Sequence, residues 1–204
     1  MERNRTIGIT GGIGSGKSVV SRVLRCNGFP VMDCDAEAKY LMASDERIRK
    51  SLQTRLGKDI YLESGQLNRS KLAALLFTNN EIRQFVNNIV HEAVRFSIRK
   101  KRKETQGYLF IESAILASGG IVEMCDQIWI IRAPENIRIE RIKKRDNLTI
   151  EEIHKRIETQ KSELDFLDPA KTVWLENNDQ EPLLVEILSL TDKLIKNQTY
   201  LLTC

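Results

Sequence analysis

The stretch ITGGIGSGKSVV, residues 9–20, determines how the remainder of the chain is interpreted. It contains the pattern G-x-x-x-x-G-K-[ST] at Gly11, Gly16, Lys17 and Ser18. This pattern is typical of a loop whose glycines let consecutive backbone N–H groups approach phosphate oxygens. An apolar segment precedes the stretch and an amphipathic segment, 19–26, extends beyond it, as a strand–loop–helix unit requires. We therefore predict a nucleotide-binding loop at the positive end of a helix dipole.

Two side chains of this loop have predicted roles in nucleotide binding. The ammonium group of Lys17 would reach the β- and γ-phosphates, and the hydroxyl group of Ser18 would coordinate Mg²⁺. The chain contains neither the N-K-x-D nor the D-x-x-G pattern of GTPases. The segment ASGGI, residues 117–121, resembles the signature of transport ATPases but lacks its glutamine, and we interpret it as a flexible loop. These observations favour a small-molecule kinase.

Five short apolar segments indicate the strands of a parallel sheet. They are rich in β-branched and aromatic residues, as expected for strands that are covered on both faces. The segments are 5–10, 29–33, 108–112, 127–132 and 172–176. Helical patterns separate them, which predicts an α/β protein with the three-layer fold of P-loop NTPases and a five-stranded parallel sheet.

The chain of 204 residues fits a single domain with two helical excursions from the sheet. The first excursion, about 36–105, includes a long amphipathic pattern and is a predicted helical insertion. The second, about 134–169, is highly charged and is a predicted lid. The core would then comprise about 1–35, 106–133 and 170–204.

The segment VMDCDAE, residues 31–37, contains two aspartates one residue apart at the end of a predicted strand. In an extended chain Asp33 and Asp35 point to the same side, and this strand should end at the sheet edge that carries the phosphate loop. One carboxylate would lie near Mg²⁺, and the other would accept a hydrogen bond from an attacking hydroxyl group. The alternative is a structural role, in which Asp35 caps a helix predicted over 36–42.

Three arginines of the charged region recur at helical spacing. Arg138, Arg141 and Arg145 share one predicted helix face. A lid that closes with these side chains would exclude water and bring guanidinium groups to the phosphates of ATP. The alternative is a solvated helix face, since Glu140 and two lysines lie in the same segment.

Charge and cysteine content limit other functions. The net charge of +4 suits a partner that carries phosphates but is too small to indicate nucleic acid. We interpret the basic run RKKRK, 99–103, as the end of a long helix, where cations complement the dipole; a nucleic-acid patch is the alternative. The four cysteines form no C-x-x-C pair, and the chain has no apolar run of ~20 residues. We therefore predict a cytoplasmic protein without membrane, nucleic-acid or obligate protein partners.

Longer segments of the chain resemble the dephospho-CoA kinase family. The segments are IGITGGIGSGKS at 7–18, NGFPVMDCDAEAK at 27–39, GQLNRSKLAALLF at 65–77, IVHEAV at 89–94 and RIKKRDNLTIEEIHKRIETQ at 141–160. The resemblance covers nearly the whole chain. It implies that ATP, with Mg²⁺, donates its γ-phosphate to the ribose 3′-hydroxyl group of dephospho-CoA, giving CoA and ADP.

The resemblance also implies individual roles. Asp35 matches the carboxylate that activates the hydroxyl group, Lys17 the loop lysine, and Arg141 a lid arginine on the phosphates; Asp33 is the fourth catalytic candidate. The implied ATP-binding positions are Gly14, Ser15, Gly16, Lys17, Ser18 and Val19, with Arg145 of the lid. Arg69 and His91 match positions of the helical insertion on the acceptor side, and a core histidine is the alternative for His91.

A few positions depart from the family pattern. Glu92 and Ala114 stand where the family has proline, and Lys171 stands where aspartate is common. No acid occurs at 117–118, so Glu112 is the predicted substitute for orienting the metal. Two other functions remain open from the sequence: a nucleoside or nucleotide kinase of the same architecture, and a nucleotide-dependent binding module that transfers no phosphate.

Overall fold

The computed structural model describes residues 4–146, 148–165, 167–180 and 182–202. These residues form two compact units. One unit comprises the described residues of 1–33 and 101–204, and the other comprises 34–100. The boundaries of the helical insertion and of the lid remain predictions.

The first unit is built on a sheet of five parallel strands in the order β2-β3-β1-β4-β5. The strands are β1 Arg5–Thr10, β2 Val31–Asp33, β3 Tyr108–Glu112, β4 Gln127–Arg132 and β5 Thr172–Glu176. The predicted fold class and all five predicted strands are therefore confirmed. Strand β2 begins two residues later than expected, because Pro30 has no N–H group and the N–H group of Phe29 turns back to the carbonyl oxygen of Leu24.

Helices surround this sheet in the first unit. They are α1 Lys17–Cys26, α6 Glu135–Arg145, α7 Ile150–Thr159 and α8 Leu183–Leu202. Leu24 of α1 and Ile187 of α8 are fully buried in one cluster with the central strand residues Ile9 and Trp129. Burial on this face fixes the first turn of α1 directly beyond the end of β1, so the predicted phosphate loop joins two elements of the rigid core.

The second unit is helical. It contains α2 Cys34–Ser44, α3 Glu46–Leu56, α4 Arg69–Thr78 and most of α5 Asn80–Glu104. The long apolar pattern of the sequence is borne out in α5, where every fourth residue is buried: Val86, Val90, Val94 and Ile98. Between α3 and α4 the chain turns at 63–66, and an antiparallel bridge between Tyr61 and Leu67 closes this turn.

The start of α2 corrects the expectation for the paired aspartates. Strand β2 ends at Asp33 and helix α2 begins at the next residue, Cys34. Asp35 therefore lies in the first helical turn, so the two carboxylates do not alternate along one extended strand. The capping alternative is also wrong, because Asp35 is inside the helix instead of preceding it.

The basic run 99–103 occupies the last turns of α5, as predicted. Its Arg102 side chain donates hydrogen bonds to the Asn4 carbonyl oxygen, at 3.0 Å, and to the Asp126 carboxylate, at 3.1 Å. At least this member of the run thus has a structural role. Within the described residues, none of the helices combines the length and apolar composition that a membrane span requires.

Candidate active site

The phosphate loop leaves the carboxyl end of β1 and enters α1 at Lys17. Strand β1 is central in the sheet, with β3 on one side and β4 on the other. The first connections lead to strands on the β3 side and the later ones to strands on the β4 side, so the order of the strands reverses at β1. Ligands of open parallel sheets bind at such a reversal, beyond the carboxyl ends of the strands. Gly16, which precedes α1, has φ of 103°, and a Cβ atom there would overlap Nδ2 of Asn177. Glycine is therefore required on both conformational and steric grounds.

Lys17 folds back across the loop. Its ammonium group donates a hydrogen bond to the carbonyl oxygen of Gly11, at 2.6 Å, and approaches that of Gly12, at 3.4 Å. The loop is therefore closed on itself by its own lysine. This places a positive charge over the turn whose N–H groups are expected to receive an anion.

Side chains from outside the loop bind its carbonyl groups. Arg138 Nε donates to the Ile13 carbonyl oxygen at 2.8 Å, and Asn177 Nδ2 donates to that of Ser15 at 2.7 Å. Arg141 adds a longer contact to the Gly14 carbonyl oxygen, at 3.4 Å. Side-chain donors from distant parts of the chain thus fix the orientation of the loop carbonyl groups.

Arg141 belongs to a hydrogen-bonded cluster with the turn after β5. Its Nη2 atom donates to Asn177 Oδ1 at 3.2 Å and to Asp179 Oδ1 at 2.5 Å. Asp179 has φ of 64°, a left-handed conformation that is uncommon outside glycine. The cluster holds the guanidinium group beside the loop.

The three predicted lid arginines thus have different environments. Arg138 and Arg141 contact the loop, so the alternative of a solvated face is wrong for both. Burial lowers the pKa of the Arg138 guanidinium group from its usual value. The side chain of Arg145 is 60% exposed and pairs with Asp146 at 2.8 Å, and this hydrogen bond raises the pKa of Arg145. Among the described residues, the Arg145 guanidinium group makes its hydrogen bonds with the Asp146 carboxylate, whereas Arg138 and Arg141 bind the loop.

Ile13 of the loop contacts α6, α7 and the residue that follows α7. Its N–H group donates to Gln160 Oε1 at 2.6 Å. Its side chain packs against a small buried cluster of Ile142, Ile153 and Ile157. Gln160, directly after α7, therefore binds the loop, in addition to Arg138 of α6.

Two carboxylates lie at the carboxyl ends of neighbouring strands. Asp33 of β2 is the register partner of Glu112 of β3, and Glu112 is in turn the partner of Ile9, shortly before the loop. Ser18 is exposed in the first turn of α1. Hydroxyl and carboxylate oxygens are the ligands that Mg²⁺ prefers, so this donor set fits the predicted metal.

The buried hydroxyl group of Ser15 has no hydrogen-bond partner among the described residues. The buried hydroxyl groups of Thr6 in β1 and Ser21 in α1 also have no partner there, so the unpaired Ser15 hydroxyl group is not by itself a sign of a ligand. Ser15 is one of the predicted ATP-binding positions.

The other predicted site residues belong to the helical unit. Arg69 is the first residue of α4, exposed, and follows Asn68, whose side chain caps the helix by accepting from the N–H group of Lys71. His91 lies in the middle of α5 and is only half-buried. Asp35 is exposed in the first turn of α2.

The altered loop after β3 consists of hydrogen-bonded turns. The N–H groups of Ala117 and Ser118 both donate to one carboxylate oxygen of Glu163, at 3.1 and 3.2 Å. Leu116 and Ile121 on either side are buried. The loop that departs from the family pattern is thus attached to the segment that follows α7.

Sequence reasoning missed four residues of this site: Gln160, Glu163, Asn177 and Asp179. Asn177 and Asp179 had a usable signal, because polar residues directly after a parallel strand lie at the ligand-binding edge of the sheet. Gln160 and Glu163 had none, since they follow a helix in a segment where polar residues are ordinary.

A parallel five-stranded sheet with a phosphate loop after its central strand defines a P-loop nucleotide-binding protein. A family model described as dephospho-CoA kinase matches residues 5–182. The chain therefore belongs to the dephospho-CoA kinase family, a family of ATP-dependent kinases, and the predicted resemblance is confirmed.

Individual relatives agree with this assignment. The chain is 39% identical over 197 residues to dephospho-CoA kinase of Bacteroides fragilis (strain YCH46), across 96% of this chain and 95% of the relative. It is 44% identical over 159 residues to dephospho-CoA kinase of Porphyromonas gingivalis, across 78% of each chain. A solved structure of dephospho-CoA kinase from Campylobacter jejuni has the same fold, with a TM-score of 0.69 at 20% identity, across 95% of this chain and 98% of that chain.

Proposed function

We propose that this chain phosphorylates the ribose 3′-hydroxyl group of dephospho-CoA with ATP bound on residues 11–19, and that it does so in the cytoplasm. The observation that carries the proposal is the loop itself, in which Arg138 binds the Ile13 carbonyl oxygen and Asn177 binds that of Ser15. A loop prepared in this way needs little reorganisation when it receives the phosphates, and preorganised donors are the main source of rate in phosphoryl transfer.

The loop residues bind and polarise the nucleotide. Backbone N–H groups of Gly14, Gly16, Lys17 and Ser18 receive the phosphates, together with the dipole of α1. The N–H groups of Ser15 and Val19 donate to the carbonyl oxygens of Gly12 and Gly16 and help to close the loop. On binding, the Lys17 ammonium group exchanges its carbonyl partners for β- and γ-phosphate oxygens. Arg141, held beside the loop by Asp179, then adds positive charge where negative charge develops.

Mg²⁺ would be held by the Ser18 hydroxyl group, with the Asp33 and Glu112 carboxylates orienting its water ligands. When bound, it neutralises charge on the β- and γ-phosphates. Glu112→Gln should then shift the Mg²⁺ concentration that gives half-maximal activity. An unchanged Mg²⁺ dependence in that variant would remove Glu112 from the site.

Asp35 orients the acceptor hydroxyl group and accepts its proton as the acceptor oxygen bonds to the γ-phosphorus of ATP. The bond between that phosphorus and the β,γ-bridging oxygen breaks in the same transfer, and ADP is the leaving group. Arg69, with an exposed guanidinium group, binds an anionic part of the acceptor. His91 contributes a hydrogen bond on the same acceptor side.

A coupled ADP-release assay with ATP, Mg²⁺ and dephospho-CoA tests the proposal. ADP should appear only when the acceptor is present, and mass analysis should show CoA carrying a new 3′-phosphate. A panel of nucleosides and nucleotides serves as the control. Transfer to a member of that panel, with dephospho-CoA left unchanged, would replace the proposed acceptor.

A further inference from the structure

An isoleucine in the middle of a glycine-rich phosphate loop requires an explanation. The loop must leave room for phosphates, and small or polar residues occupy the positions on both sides of Ile13. A branched apolar side chain at the tip would be exposed to water unless another element covered it. The structure supplies that element: the α6–α7 helix pair.

Each of the three groups of Ile13 contacts this helix pair or the residue that follows it. Its side chain packs against the cluster formed by Ile142, Ile153 and Ile157, which are almost completely buried. Its carbonyl oxygen accepts from Arg138 Nε of α6, and its N–H group donates to Gln160 at the end of α7. No other loop residue is tied to the lid segment by both of its backbone groups and its side chain in the described part of the chain.

We propose that Ile13 is the positioning residue that couples the phosphate loop to helices α6 and α7, so that nucleotide binding orders these helices and the helices in turn stabilise the binding conformation of the loop. The proposal rests on the nucleotide-binding part of the proposed function and extends it. Ile13 acts through the backbone of its own loop, since its side chain points into the helix cluster.

The physical basis is thermodynamic linkage. Contacts that order the helices by holding Ile13 also restrict the loop, and a ligand that restricts the loop lowers the cost of ordering the helices. The coupling is reciprocal, so removing the Ile13 side chain should weaken ATP binding and should also remove the effect of ATP on the helices.

The chain offers a matched control. Ile139 of α6 packs against the same cluster and is also partly buried, but it is not part of the loop. Ile13→Ala and Ile139→Ala therefore delete the same atoms from one apolar cluster. Only the first deletion separates the cluster from the phosphate loop.

The experiment measures ATP binding by calorimetry and amide hydrogen exchange of 135–145 and 150–159, with and without a non-hydrolysable ATP analogue, and needs no acceptor. Ile13→Ala should raise the dissociation constant of ATP about tenfold and abolish the protection that the analogue gives to the two helices. Ile139→Ala should keep that protection and change the dissociation constant less than about twofold. Ile13→Val, which removes one methylene group, should lie in between and covers the case in which Ile13→Ala does not fold.

Several results would overturn the proposal. Equal losses of ATP affinity in the two alanine variants would show that the cluster acts only through stability. Undiminished protection by the analogue in Ile13→Ala would show that Ile13 does not carry the coupling. Wild-type protein that binds ATP but leaves dephospho-CoA unchanged would contradict only the acceptor assignment, whereas wild-type protein that binds no ATP would contradict both proposals.

Discussion

The nucleotide loop and the helical unit differ in how their predicted functional residues are held. In the loop, Ile13 and Ser15 have their carbonyl groups bound by side chains that come from distant parts of the chain. In the helical unit, Asp35 and Arg69 are exposed residues in the first turns of helices. Side-chain donors thus hold the carbonyl groups of the loop in place, whereas the acceptor candidates lie on exposed helical turns.

This difference fits the two substrates. The triphosphate of ATP presents the same compact charge in every reaction, and a rigid cradle suits it. The acceptor is larger and carries its reactive hydroxyl group far from much of its binding surface, so exposed side chains on helices are suitable contacts. We therefore expect substitutions in the loop to change the affinity for ATP, and substitutions in the helical unit to change the binding or phosphorylation of the acceptor.

The largest effect is expected for Asp35→Asn. The amide keeps the size of the side chain but cannot accept the proton of the hydroxyl group, so kcat should fall by about 10³-fold. The dissociation constant of ATP, measured by calorimetry, should remain within about twofold of wild type, because Asp35 is assigned to the acceptor.

Asp33→Asn is the control for this prediction, since it changes the neighbouring carboxylate at the end of β2. It should alter the Mg²⁺ dependence more than the maximal rate. If Asp33→Asn instead gave the larger loss of kcat, the roles of the two aspartates would have to be exchanged.

Arg69→Ala is expected to act on the acceptor alone. Loss of a charge-assisted contact to an anionic group should raise KM for dephospho-CoA by about tenfold to a hundredfold, with KM for ATP unchanged. Arg55→Ala is a matched control in the same unit, because Arg55 is also exposed and its ion pair with Glu81 is long, at 3.9 Å. A change in KM for ATP in Arg69→Ala would break the separation between the two regions.

Asn177→Asp is the corresponding test on the nucleotide side. The substitution keeps the shape of the side chain but removes the Nδ2 donor to the Ser15 carbonyl oxygen. A carboxylate oxygen would then face the Ser15 carbonyl oxygen, and neither atom can donate a hydrogen bond. The dissociation constant of ATP should rise about tenfold, while KM for dephospho-CoA is preserved.

Asn177→Ala distinguishes the lost donor from the added charge, since it removes the Nδ2 donor, together with the Oδ1 acceptor of Arg141, without adding a charge, and it should show most of the effect. Asn27→Asp controls for the chemistry, because the Asn27 side chain also donates to a carbonyl oxygen, that of Val23, at the opposite end of α1. Equal effects of Asn177→Asp and Asn27→Asp on ATP binding would argue against a specific role for Asn177.

The sequence predicted the sheet and the loop well because both depend on local patterns. Continuous apolar runs identify buried parallel strands, and the glycine–lysine–serine spacing identifies the loop without knowledge of its neighbours. The order of the strands and the partners of the loop carbonyl groups required the structure. Asn177 lies 162 residues beyond its partner Ser15, and no local pattern reports such a contact.

The errors in the prediction have physical causes as well. The prediction that strand periodicity continues through Asp35 is wrong because the chain changes from strand to helix at Cys34, where a period of two no longer applies. The common helical face of the three arginines is a separate matter: Arg145 pairs with its acidic neighbour Asp146 in this structure, and its role in ATP binding stays a prediction. Shared periodicity shows which side chains start on the same face, and local partners decide where each one goes.

The smallest effect is expected for Glu163→Gln. This substitution tests how much the contact between the loop after β3 and the segment after α7 contributes to stability. Glu163 accepts from the N–H groups of both Ala117 and Ser118. Glutamine keeps an oxygen acceptor but removes the charge that strengthens the two bonds, so about 1 kcal/mol should be lost and Tm should fall by about 2–4 °C. Glu158→Gln is the control, because Glu158 pairs only across the surface with Lys161, and such pairs contribute little. A drop in Tm shared equally by both variants would assign the effect to overall charge, whereas a drop confined to Glu163→Gln would show that the loop after β3 and the segment after α7 stabilise each other.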